Sequence, residues 1–128
     1  DFIATLNEKS LVVTPVALAA FAHFKLVDVH PFLDGNGRTA RLLMNLVLLQ
    51  HGYPITIIQK TDRKQYYRVL DLAHAGNAVP FENFVARAVE RSIDLYLEAL
   101  EPRRSKDKEL ISLAEATKYC NYSQQYLS

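Results

Sequence analysis

The sequence is short of cysteine, of charge bias and of uninterrupted apolar runs, and each shortage closes a class of function. One cysteine, Cys120, leaves no internal disulfide to form, which fits a reducing compartment and makes the cytoplasm the expected location. Fifteen Lys and Arg stand against fourteen Asp and Glu, a net charge of +1, so no global field steers the chain to nucleic acid or anionic lipid. Anion binding therefore has to be a local matter. Lys25, Asp28, Asn45 and Gln50 break the apolar stretches short of a membrane span, and no basic-then-apolar leader opens the sequence, so no membrane partner is expected. Internal repeats and low-complexity tracts are missing as well.

What is there is ordinary for a globular domain. Of 128 residues, 49% are hydrophobic, 10% aromatic and 23% charged, enough for one compact core and too few residues for two domains of usual size. Phe2, Ile3 and Leu6 give a short N-terminal helical pattern. Thr14-Pro15 then reads as an N-cap followed by proline at the first helical position, and opens a helix to about Val29. A second helical run, RTARLLMNLVLLQ, stops at Gly52. Apolar residues at Leu42, Leu43, Met44, Leu46, Val47, Leu48 and Leu49 surround this run rather than stripe it, so it is expected to be buried at the centre of the domain.

YPITIIQ reads as a short strand or an extended loop. A polar helix carrying tyrosines is expected from Asp62 to His74, and a long amphipathic one from Pro80 to Leu100, with Phe81, Phe84, Val85, Ala88, Val89, Ile93, Tyr96, Leu97 and Leu100 on its apolar face. Residues 102–109 form a charged linker containing Arg103, Arg104, Lys106 and Lys108. Beyond it, Ser112 and Glu115 have capping-box spacing. Residues 110–128 resemble the start of a helix-turn-helix module. The absence of an initial methionine and the end at Ser128 lead us to expect a fragment.

Between the first two long helices lies HPFLDGNGRTAR, residues 30–41. Gly35 and Gly37 flank Asn36 at the start of a helix, where free amides and the positive end of the helix dipole can cradle phosphate. Arg38 and Arg41 are one turn apart, and both can reach back as a clamp on further phosphate oxygens. Asp34 is a lone carboxylate beside this nest, which suits Mg2+, an ion that takes few protein ligands and fills its shell with water and substrate phosphates. Zinc is not favoured, because no other His, Cys, Asp or Glu falls at structural-site spacing. His30 stands at the opposite lip of the loop, and histidine is the side chain that accepts a proton near neutral pH. A general base, a metal ligand, a phosphate cradle and a charge clamp are thereby expected in twelve residues.

The same stretch resembles the signature of the Fic family, H-x-F-x-[D/E]-G-N-G-R-x-x-R, at every fixed position, and the likeness extends from LAAFAHFKLVDV upstream to LLMNLVLLQHGYP and KQYYRVL downstream. The resemblance implies an all-α Fic-type helical bundle, its core at residues 1–101, with the active loop at the N-terminus of the central helix. It implies a protein adenylyltransferase that moves AMP from ATP to a Ser, Thr or Tyr hydroxyl of a target protein. His30 would be the base and Asp34 the Mg2+ ligand. Gly35, Asn36 and Gly37 would form the anion hole, with Arg38 on the phosphates and Arg41 at the γ-phosphate end. Phe32 would anchor the loop in the core.

Tyr66 and Tyr67 match a tyrosine pair that lies near adenine in relatives; without the family they read as half-buried packing. His74 stands where relatives often carry an asparagine near the nucleoside. His23 reads as structural and His51 as a partner for the end of its helix. No hairpin signal for the family's target-docking flap precedes Thr14, and its inhibitory [S/T]-x-x-x-E-[G/N] motif is not found. ATP and a protein bearing a hydroxyl are the implied partners, with a homodimer and a DNA contact through the C-terminal module left open. Two alternatives use the same loop: de-AMPylation or another phosphotransfer, and a DNA-binding regulator whose Fic domain only senses nucleotide. The retained GNGR segment favours AMP transfer over the kinase-type reaction.

Overall fold

The computed structural model describes residues 1–101, so the expected linker at 102–109 and the helix-turn-helix start at 110–128 lie outside the described residues. Five α-helices account for most of residues 1–101: α1 (Phe2–Ser10), α2 (Pro15–Val29), α3 (Asn36–Gln50), α4 (Arg63–His74) and α5 (Val79–Leu100), with one 3₁₀ turn, Lys60–Asp62, ahead of α4. The fold is all-α, and no strand occurs among the described residues.

Local chemistry explains the helix ends. The Thr14 hydroxyl accepts from the Ala17 amide at 3.3 Å, and Pro15 occupies the first position of α2, as the Thr-Pro pair predicts. α3 and α4 end in the same way. Gly52 and Gly76 have φ of 79° and 96°, and the following residues donate back, Tyr53 to the Leu48 carbonyl at 3.0 Å and Asn77 to that of Leu72 at 2.9 Å. This is the Schellman arrangement, which needs a left-handed residue that glycine supplies without strain.

The core is built where α2 crosses α3. Ala19, Ala20 and Ala22 of α2 are fully buried and, being small, let Met44 and Leu48 of α3 come close. Val69, Leu70 and Ala73 from α4 and Phe81, Phe84, Val85 and Val89 from α5 complete this cluster.

Two expectations about burial need correction. α3 is buried along Ala40, Met44, Val47 and Leu48, whereas Leu42, Leu46 and Leu49 remain 71%, 53% and 50% exposed, so among the described residues its apolar surface is covered on one side only. Likewise α5 buries its first three turns, while Tyr96 and Leu97 stay more than half exposed. Composition reports that a face is apolar, and only the neighbouring elements decide whether it is covered.

YPITIIQ is extended and belongs to no sheet among the described residues. Its partner is a side chain: Asn45 Oδ1 accepts from the Thr56 amide at 2.7 Å and Asn45 Nδ2 donates to the Thr56 carbonyl at 3.0 Å. The carboxamide thus replaces the neighbouring strand that an extended segment otherwise needs. Asp62 ties the next turn to α5 by accepting from Arg91 at 2.6 Å. No helix among the described residues is long and apolar enough to cross a membrane.

Candidate functional site

His30 ends α2 in the left-handed region, φ 49° and ψ 55°, and is the one non-glycine residue with positive φ among those described. A side chain tolerates that conformation only when its surroundings hold it there. Here the His30 amide still donates to the Leu26 carbonyl at 3.1 Å, so the chain turns sharply out of the helix and the imidazole is delivered at the loop's lip, exposed.

The loop is braced from inside by Asn36. Its Oδ1 accepts from the Phe32 amide at 3.0 Å and its Nδ2 donates to the Phe32 carbonyl at 2.7 Å, with Asn36 only 5% exposed. The expected role of Phe32 as a core anchor is therefore corrected: its ring is half exposed, and the loop is held through the Phe32 backbone. The Asn36 carboxamide is committed to this brace, which leaves its backbone amide for a ligand.

Gly35 precedes α3 with φ 83°, a conformation that favours glycine, and provides no side-chain cap. The first amides of α3 consequently face the loop without the usual Ser or Asp oxygen, at the positive end of the helix. Gly37 has no such backbone requirement, and a Cβ there would meet only Arg41 Nη2 at 3.5 Å, an ordinary contact. Packing within the protein does not demand glycine at 37, so the bare backbone is available to a ligand.

Both arginines fold back toward this helix start. Arg38 Nη2 lies 3.3 Å from Asp34 Oδ2, a pair so exposed that it contributes little to stability and is readily exchanged for a stronger partner. Arg41 Nε donates to the Gly37 carbonyl at 3.0 Å. Asp34 Oδ1 accepts from the Gly35 amide at 2.6 Å. His30, Asp34, Gly35, Asn36, Gly37, Arg38 and Arg41 all line one cavity of about 300 Å³.

Tyr66 and Tyr67 are not in that cavity. They line a second one of about 280 Å³ with Ile58, Gln59, Lys60 and Arg63, and Arg41 is common to both. Burial pushes the Tyr66 phenol above its ordinary pKa, against the opposing pull of the Arg41 charge. Lys60 and Arg63 were not anticipated; a lysine and an arginine in a polar helix start have no distinctive spacing.

The remaining histidines have structural settings. His23 is fully buried, with neither ring nitrogen hydrogen-bonded, between the rings of Tyr66 and Phe81. Burial, helped by the charge of Arg41, lowers its pKa from 6.5 to about 4, so it is neutral at physiological pH. His51 Nδ1 lies 2.8 Å from the Val47 carbonyl, at the end of α3 as expected. His74 lines neither of the two cavities; its Nε2 lies 3.7 Å from Asp28 Oδ1 and its ring packs on Phe24.

A single carboxylate beside an anion cradle fits Mg2+, which relies on substrate oxygens. Among the described residues no group of three His, Cys, Asp or Glu could make a protein-only metal cage.

Comparison with known proteins identifies what the chain is similar to. Residues 1–48 match the model of the Fic/DOC family. A protein adenylyltransferase Fic from Drosophila grimshawi is 54% identical over 91 residues, covering 71% of this chain and 19% of that protein. Its counterpart from Culex quinquefasciatus is 54% identical over 90 residues, covering 70% and 18%. Among solved structures, Fic-1 (residues 134–508) from C. elegans superposes with a TM-score of 0.69 at 47% identity, over 73% of this chain and 28% of that one. A Fic domain containing signaling protein from Bacteroides thetaiotaomicron superposes with a TM-score of 0.70 at 32% identity, over 77% and 45%. The chain belongs to the Fic/DOC family. It spans about a fifth of the length of the curated relatives it matches.

Proposed function

We propose that this chain is the catalytic core of a protein adenylyltransferase, transferring AMP from ATP to a Ser, Thr or Tyr hydroxyl of a target protein. One observation carries the reading: the only strained non-glycine residue described, His30, is aimed into the same cavity as the open first turn of α3, with Asp34, Arg38 and Arg41 around it. The relatives named as protein adenylyltransferases support the reaction type.

In this mechanism His30 takes the proton of the target hydroxyl as its oxygen bonds to the α-phosphorus of ATP. The bond from that phosphorus to the bridging oxygen breaks, and pyrophosphate leaves with the electron pair, leaving AMP on the protein. The amides of Asn36 and Gly37 and the guanidinium groups of Arg38 and Arg41 stabilise the phosphate charge as it redistributes. Arg38 exchanges its weak contact with Asp34 for a phosphate oxygen, and Asp34 is then free to hold Mg2+, which supplies charge neutralisation when bound. Positioning and charge stabilisation are most of what such a transfer requires.

Transfer of label to protein from ATP carrying it on the α- or the γ-phosphate tests the reading. Label from the α position alone is the expected result. Label from the γ position would make the enzyme a kinase, and none from either would favour a nucleotide sensor.

A further inference from the structure

Two unpartnered features meet where the extended segment after α3 runs into α4. The first is a backbone edge. Thr56 is buried while Ile55 and Ile57 on either side of it are 61% and 67% exposed, the alternation of a half-buried strand. Asn45 occupies both backbone groups of Thr56, and those of Ile55 and Ile57, which an extended chain turns the opposite way, make no hydrogen bond among the described residues. The second feature is charge. Residues 58–68 hold Lys60, Arg63, Lys64 and Arg68 against one acid, Asp62. That acid is taken by Arg91 of α5 at 2.6 Å and is mostly shielded, whereas the four cations are exposed and form no ion pair among the described residues.

We infer that this surface, Ile55 to Lys60 continued by the first turns of α4, docks an extended acidic stretch of the protein whose hydroxyl is modified. The occupant follows from what the surface leaves open. Free amides and carbonyls along an edge take a peptide main chain, the exposed Ile55, Ile57 and Tyr67 take its apolar side chains, and the cations take its carboxylates. A nucleic acid would use the charge alone, and a net charge of +1 gives the chain no field to attract one. The place also suits a substrate. Ile58, Gln59, Lys60 and Arg63 line the cavity that shares Arg41 with the His30 site, so a segment docked along this edge passes beside the reacting groups. On the adenylyl-transfer reading, on which this inference depends, the acidic stretch selects the target and the modified hydroxyl lies near it in sequence.

Fluorescence anisotropy tests this with two labelled peptides that alternate valine with either glutamate or glutamine around a single threonine, titrated against the wild-type chain and the Lys60→Glu/Lys64→Glu variant. Arg63 is retained because it packs over the Tyr67 ring at 5.8 Å. At low salt the glutamate peptide is expected to bind the wild type about fivefold more tightly than its glutamine counterpart, and the variant to lose that preference while gaining one for a lysine peptide. Equal binding of the two peptides by the wild type, or a preference that the variant keeps, would overturn the dock and leave α-label transfer to protein untouched. An oligothymidylate of the same charge that binds as tightly as the glutamate peptide would overturn it in favour of a nucleic-acid site. Glutamate-peptide binding that depends on Lys60 and Lys64, in a chain that moves no α-label to any protein, would contradict the proposed function and with it the role of the docked peptide as substrate.

Discussion

Replacing His30 by alanine abolishes transfer in this account, lowering the single-turnover rate by about 10²- to 10⁴-fold while ATP affinity stays within about threefold of wild type. The reason is positional: the imidazole stands at the lip of the cavity, and the phosphate contacts come from α3, a different element. His30 also carries a left-handed backbone, so alanine there introduces strain of about 1 kcal/mol that could disturb the loop by itself. Asparagine adopts this conformation readily. His30→Asn therefore keeps the turn and removes the base, and it is expected to be as inactive as His30→Ala. Transfer at the wild-type rate in the asparagine variant would show that the turn, and not the imidazole, is what the reaction needs.

The second large effect is on stability. His23 is buried neutral, with its pKa lowered from 6.5 to about 4 by burial and by Arg41. Between those values the unfolded chain takes up a proton that the folded chain refuses. Stability is thus complete above pH 6.5 and is lost as pH falls toward 4, by about 3 kcal/mol in all. Much of that window lies above the range where carboxylates titrate, so urea midpoints between pH 7 and pH 5 isolate it. The wild type is expected to lose stability steadily over this interval, and a His23→Leu variant to hold it nearly flat. Equal slopes in the two proteins would place the acid sensitivity elsewhere.

Much of this architecture is legible in the residues. Thr14-Pro15 marks the start of α2, and Gly52 and Gly76 mark helix ends whose geometry only glycine adopts freely. The place of the loop is equally readable, because a glycine-flanked turn opening a helix depends on backbone and short spacing, which the order of residues determines. Other features are invisible at that level. The Asn45 carboxamide serves Thr56 from 11 positions away, and Arg91 reaches Asp62 across 29; such contacts have no period. Phe32 and Leu42 illustrate the converse. Their apolar character is plain in the sequence, yet both are exposed, since burial belongs to the neighbours that pack against a residue.

The measurement that bears most directly on the site is a crystal structure of this chain with ATP and Mg2+. The account places phosphate oxygens against the amides of Asn36 and Gly37, with Arg38 withdrawn from Asp34, the metal on Asp34, and the His30 imidazole facing the α-phosphorus. A nucleotide bound elsewhere, or bound here with the Arg38 to Asp34 contact intact and His30 turned away, would contradict it.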